Sequence, residues 1–417
     1  MSWGGGFEAY CATSWHGRAF PQRTLSELNQ IYYRCLRWYD RVVFQGGLRE
    51  SIVAKIVTVF NNKGGVGKTT LTYHLAHALG EIGKKVLLVD LDPQCNLTIV
   101  AMEMEKIHDI WHPEDAFIED FDAAKSMQAN ELSDIISTSR SIHFLLKPTE
   151  DGTADFESLP PPVSISDAVD LVPGRLTLHL YEAKVAERWS GIYQGDPLAI
   201  RTATRVRSLA QDYAEQNGYD LVIFDTSPSL GALNRHLLSL ADGFLIPCAP
   251  DLFSVYGIRN IGDALRVWQK QFDSIFHFIS DQKRSNFPRS FVKFLGYTLY
   301  NAKRYSRYEN DLNLAKAHQN YAEQIPDTIK STIDSKNMID FPGVADRSIG
   351  ENAIIHSHNT FPSMSQKYHL PMWKLPDFGF LDPEDRSTIG GNQQRFKETQ
   401  DAYHRFAEDF LARVDAL

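Results

Sequence analysis

The chain has 417 residues, 43% of them hydrophobic and 23% charged, which is enough apolar material for a packed core. Its formal net charge of -9 excludes a protein that coats nucleic acid with its whole surface and confines any such contact to a local patch. No apolar run reaches the ~18–20 residues that span a bilayer, no two of the four cysteines are spaced C-x-x-C, and the N-terminus lacks a basic-then-apolar pattern, so a soluble, cytoplasmic chain without a zinc or iron–sulfur site of its own is expected.

Residues 1–50 differ in character from the rest of the chain, with a Gly run and then aromatics and Arg. Thr24 and Glu27 fit a capping box ahead of Leu28, Ile31, Tyr32, Leu36 and Tyr39, which predicts a helix over 24–41 in an extension to the main body, 51–417. Ala54–Phe60 (AKIVTVF) is the first β-branched run, followed by a Gly-rich loop and a helical stretch from Thr69 to about Leu79. Further strands are predicted at Val86–Leu91, Ala168–Val172, Tyr219–Asp225, Gly243–Cys248 and Phe291–Leu299. Short apolar runs separated by helical patterns imply a three-layer α/β fold, a mostly parallel sheet flanked by helices.

The segment 101–165 reads as an acidic insertion with Glu114, Asp115, Glu119, Asp120 and Asp122, closing on Pro160-Pro161-Pro162. Such charge predicts a solvated face. The segment 334–395 reads as loop-rich. At the end, Phe396, Tyr403, Phe410 and Leu417 fall at heptad spacing beside Phe406 and Val414. The opposite face carries Lys397, Glu398, Asp401, Arg405, Glu408, Asp409 and Arg413. This is the pattern of a helix packed on its own domain; a membrane-seeking helix concentrates Lys and Arg, so no stable membrane insertion is expected.

The chemistry centres on Lys63-Gly64-Gly65-Val66-Gly67-Lys68-Thr69-Thr70, set between a strand and a helix. The first Gly of the usual phosphate-loop pattern is replaced by Asn62. The physics is unchanged. Gly64, Gly65 and Gly67 let backbone amides converge on phosphate oxygens, and the helix directs its N-terminus at the anion. Lys68 can reach the β- and γ-phosphates of ATP, and Thr69 offers a hydroxyl to Mg²⁺. Asp90 and Asp92 follow the second strand and Asp225 ends the fourth. Carboxylates at the C-terminal ends of parallel strands face the ligand crevice. Asp225 suits a magnesium-holding carboxylate, and Asp90 or Asp92 can orient the attacking water. A lysine at the start of the loop points away from its own phosphates and can serve those of a facing subunit, as an arginine finger does.

KGGVGKTT, LLVDLDPQ-C-N and D-T-S-P-S-L-G together resemble the ParA/MinD family of deviant Walker-A P-loop ATPases, nearest to the ParA (Soj-like) partition ATPases, over about 54–417. The resemblance implies a P-loop NTPase fold and slow, partner-stimulated hydrolysis of ATP to ADP and phosphate in an ATP-sandwiched homodimer. Lys63 matches the signature lysine that crosses that dimer. Lys68 and Thr69 match the phosphate lysine and magnesium ligand, Asp92 the residue linked to water activation, Asp90 its neighbour near the metal, and Asp225 the Walker-B aspartate. Asn301, in GYTLYN, matches an adenine contact. Cys95 stands where Gly is usual and Ser227 where a second Pro is usual.

The resemblance further implies non-specific DNA binding, a nucleoid-associated location and a ParB-like partner that positions a DNA or protein cargo. Lys283, Arg284, Arg289, Lys293, Lys303, Arg304 and Arg307, with Tyr305 and Tyr308 interleaved, are the candidate phosphate contacts. The alternative is an ATP-dependent dimerisation switch in a regulatory or anti-phage defence module that moves no cargo.

Overall fold

The protein is described by a computed structural model covering residues 54–121, 134–284, 287–300, 302–303, 312, 314–356 and 358–417. The helix predicted over 24–41, and Asn301, Arg304, Tyr305, Arg307 and Tyr308, lie outside the described residues. All described residues belong to one compact unit, Val53–Leu417.

Seven strands form one sheet in the order β3-β4-β2-β5-β1-β6-β7. They are β1 (Lys55–Val59), β2 (Val86–Leu91), β3 (Val163–Ser166), β4 (Val169–Val172), β5 (Leu221–Thr226), β6 (Gly243–Cys248) and β7 (Lys293–Leu299). Every neighbouring pair is parallel except β3–β4. The central strands VLLVDL, LVIFDT and GFLIPC are buried at every residue, as a sheet covered on both faces requires. The six predicted strands are thus present, within a residue or two at their ends.

The edge strand β3 was not predicted. Its sequence VSIS is short and half-exposed, the polar alternation that blunts a sheet edge, and it gives no apolar run to read.

The helices used below are α1 (Lys68–Glu81), α2 (Asn96–Ala101), α3 (Leu178–Tyr193), α4 (Ala232–Leu240), α5 (Leu252–Phe278) and α6 (Gln393–Val414). Phe396, Tyr403, Phe406, Phe410 and Val414 of α6 are buried, so the apolar stripe packs on the domain as expected. Arg413 departs from the polar face assigned to it. It is fully buried, donating from Nη1 to Leu295 O at 2.9 Å and from Nε to Asp409 Oδ2 at 3.1 Å. Room for it comes from Gly296, at φ +135°, where a Cβ would stand 2.3 Å from Arg413 Nη1.

The acidic segment departs from a solvated face at Glu114. This residue is fully buried, accepts from the Ser141 amide and hydroxyl at 2.6 Å each, and pairs with Arg175 at 3.0 Å. A buried carboxylate needs such partners. Phe117 and Phe121 are also buried there, with Phe117 packed edge-on against Phe144.

Two described members of the basic stretch are set well apart. Lys293 opens β7 and Lys303 lies beyond its end, so a strand of roughly 20 Å separates them. Lys293 Nζ donates to Lys336 O at 2.5 Å, and Arg284 pairs with Asp281 at 2.9 Å. Among the described residues no helix is long and apolar enough to cross a membrane.

Candidate nucleotide-binding site

The loop joining β1 to α1 is held from behind. Asn61 is fully buried, donates to Pro247 O at 2.7 Å and accepts from the Lys63 amide at 2.9 Å. Gly65 and Gly67 adopt φ of +72° and +79°, where L side chains are disfavoured. Gly67 is doubly constrained: a Cβ there would lie 2.2 Å from Tyr300 Cε1. The Tyr300 hydroxyl in turn bonds that of Tyr403 on α6 at 2.9 Å. A Cβ on Gly64 or Gly65 would meet nothing within 4 Å, so this part of the loop borders open space. Val66 is buried, and Thr70 O accepts from His74 Nδ1 at 2.7 Å.

The Lys68 ammonium donates to Asn61 O at 3.0 Å and Lys63 O at 3.1 Å. Burial lowers its pKa, and the charges of Asp225 and Asp92 oppose that shift. Thr69 Oγ1 donates to Asp225 Oδ2 at 2.8 Å, and Thr72 Oγ1 to Oδ1 at 3.3 Å. Asp225 is fully buried and stands in register with Asp90 on β2. Burial, and then the Asp90 carboxylate, push its pKa up to about 8. The loop after β5 is pinned by Asn234 of α4, whose Nδ2 donates to Ser227 O at 2.9 Å and Ser229 O at 2.8 Å.

Asp90 and Asp92 are brought together but do different work. Asp90 Oδ1 accepts from the Asp92 amide at 3.2 Å, and its Oδ2 from the amide and hydroxyl of Thr98 at 2.8 and 2.6 Å. Both Asp90 oxygens are therefore committed to the turn that carries Asp92. Burial pushes the Asp90 carboxyl up to about 6 despite the Thr98 bonds. Asp92 Oδ1 accepts from the Gln94 amide at 2.9 Å. Cys95, at φ +54°, is buried and caps α2 in the left-handed region, which accounts for the glycine usual at this place.

Sequence reasoning missed Thr72, Thr98, Asn234, Tyr300 and Asp251. Thr98 carries a faint signal, a hydroxyl two residues into the helix after DPQCN; the others become partners only when distant segments meet.

Three buried carboxylates and one ammonium converge here, with a raised carboxyl on Asp225. A divalent cation with a phosphate chain fits this donor set. Lys68 and the loop would hold the phosphates, and Thr69 and Asp225 the cation, which would neutralise charge on the transferred phosphoryl.

The raised values predict a pH dependence. Asp225 and Asp90 keep a proton in the folded chain after the unfolded chain has lost it at the ordinary value of 3.8. Their contribution to stability is fully present below that value and is lost as pH rises through about 6 and about 8. The ligand-free chain should melt a few degrees lower at about pH 8.5 than at about pH 6. Asp225→Asn, with no proton to lose, should flatten the slope. Thermal melts of both proteins across this range check it, and equal slopes would place the titration elsewhere.

A strand, a phosphate loop and a helix, with a buried carboxylate on the adjacent strand, define a P-loop nucleotide-binding protein. Residues 54–155 and 164–278 match the AAA_31 family, described as an AAA domain. The chain belongs to this family, and so to the ParA/MinD group of P-loop ATPases. It is 30% identical over 220 residues to an uncharacterized protein of Mycobacterium tuberculosis, spanning 51% of this chain and 52% of that one. It is 27% identical over 267 residues to the probable plasmid-partitioning protein ParA of Thermus thermophilus, spanning 64% of this chain and 63% of the relative. The chain thus spans about half to two thirds of these relatives' length. The solved structure of pNOB8 ParA superposes with a TM-score of 0.51 at 18% identity, covering 87% of this chain and 99% of that one, and bears on the fold alone.

Proposed function

We propose that this chain binds MgATP at the β1–α1 loop, closes into a two-fold dimer over it, hydrolyses it slowly with Asp92 orienting the water, and positions cargo as a ParA-type ATPase. Asp90 acts beside the metal through its charge and through the turn that it holds. Lys63 serves the nucleotide of the facing subunit. The ATP dimer is the form that binds DNA without sequence preference and answers to a ParB-like partner. The name of the Thermus relative, a probable plasmid-partitioning protein, supports the partition role.

The observation that carries the dimer is the rim of the site. Leu176 and Leu180 follow β4, Leu230 follows β5, and Leu252, Phe253 and Tyr256 follow β6, so all lie toward the edge of the sheet that holds the nucleotide loop. Each is 40% to 71% exposed. Apolar surface gathered at one edge marks an association site, and a second copy brings the same rim to a two-fold.

The test is light scattering of the full chain with ADP and with a non-hydrolysable ATP analogue, then DNA binding in both states. A dimer with the analogue alone is expected, with DNA affinity that needs it and falls with salt. A monomer in both states would overturn the dimer. A dimer indifferent to DNA would move the reading to a switch that carries no cargo.

A further inference from the structure

Lys63 already has a carboxylate partner within its own subunit. Its ammonium is ion-paired with Asp251 Oδ2 and lies 5.7 Å from the centroid of the Phe253 ring. Asp251 divides its two oxygens. Oδ1 caps α5 by accepting from the Ser254 amide at 2.9 Å, and Oδ2 holds Lys63. The Lys63 backbone is fixed independently of that pair. Its amide donates to Asn61 Oδ1 at 2.9 Å and its carbonyl accepts from Lys68 at 3.1 Å. The side chain can therefore leave Asp251 while the loop stays in place. Both side chains retain solvent access, 24% for Lys63 and 29% for Asp251.

We propose that Asp251 is a latch that restrains Lys63 on its own subunit, so that closure of the dimer requires each copy to give up its Lys63–Asp251 pair. The inference rests on the reading of Lys63 as a group that serves the opposite subunit. Asp251 opposes closure by competing for the ammonium. Asp251 is a positioning residue, acting through Lys63. A half-exposed ion pair changes an equilibrium by a few-fold at most, but two-fold symmetry breaks two of them per dimer. The combined effect on the dimer constant is about tenfold.

Asp251→Asn isolates the latch from the cap. Asparagine caps helices about as well as aspartate, so the melting temperature should stay close to wild type. Dimer dissociation constants are measured by sedimentation with Mg²⁺ and a non-hydrolysable ATP analogue, at low and high salt. The variant should dimerise at about tenfold lower concentration. The gap should narrow at high salt, because salt weakens the pair in the wild type. In a Lys63→Ala background, Asp251→Asn should change nothing, since no ammonium remains to release. Dimerisation equal to or weaker than wild type in Asp251→Asn overturns the latch alone. So does an equal gain in the Lys63→Ala background. If both wild type and Asp251→Asn stay monomeric, the dimer reading falls and the latch falls with it.

Discussion

Lys68→Ala is expected to lower MgATP affinity on the order of a hundredfold or more, by about 3 kcal/mol, and to remove turnover with it. The ammonium is the cation nearest to Asp225 within the loop, and burial strips it of the water that would otherwise screen it. A phosphate chain bound in this loop without it would stand against Asp90, Asp92 and Asp225, all buried, with the Lys68 charge gone. The fold should survive. In the free chain the ammonium donates to Asn61 O and Lys63 O, and Asn61 has its own bond to Pro247 O. Isothermal calorimetry with MgATP is the measurement, alongside a thermal melt. Unchanged affinity in a folded variant would remove the nucleotide from this loop.

The second large effect separates binding from hydrolysis. Asp92→Ala should bind MgATP within a few-fold of wild type, because Lys68, Thr69 and the loop amides remain. Its turnover should fall about 10²- to 10⁴-fold, the contribution of a positioned acid–base group. The ATP-bound dimer should then accumulate on size-exclusion chromatography. The structure gives a reason to choose Asp92 over Asp90. Both Asp90 oxygens are taken by the Asp92 amide and by Thr98, so Asp90 cannot turn to a water without releasing the turn. Asp92 is held by its backbone and by one bond that its Oδ1 accepts from the Gln94 amide. Turnover at the wild-type rate in a single-turnover assay would show that another group orients the water.

What the sequence determined by itself was the frame of the site. Apolar runs of strand length alternate with helical patterns, and this placed the parallel strands because buried parallel strands carry continuous apolar sequence. KGGVGKT lies between one such run and a helix, and Asp90 and Asp225 end two others. In a parallel sheet strand ends share an edge, so these residues had to meet. Local spacing was enough because the function uses the ends of regular elements.

The tertiary structure decided what depends on contacts between remote segments. Asp251 is far from Lys63 in sequence, and only the adjacency of β1 and β6 brings the loops that follow them together. Tyr300 over Gly67 and Arg413 under β7 have the same origin. Arg413 and Glu114 looked like surface charges because helical spacing and acidity report composition, whereas their burial depends on the buried Leu295 carbonyl of β7 in one case and on Ser141 and Arg175 in the other. Lys293 and Lys303 show the complementary case: residues close in sequence are carried to opposite ends of a strand. The division between Asp90 and Asp92 was likewise undecidable from spacing, since both stand at one strand end and only Thr98, folded back from α2, commits the first of them.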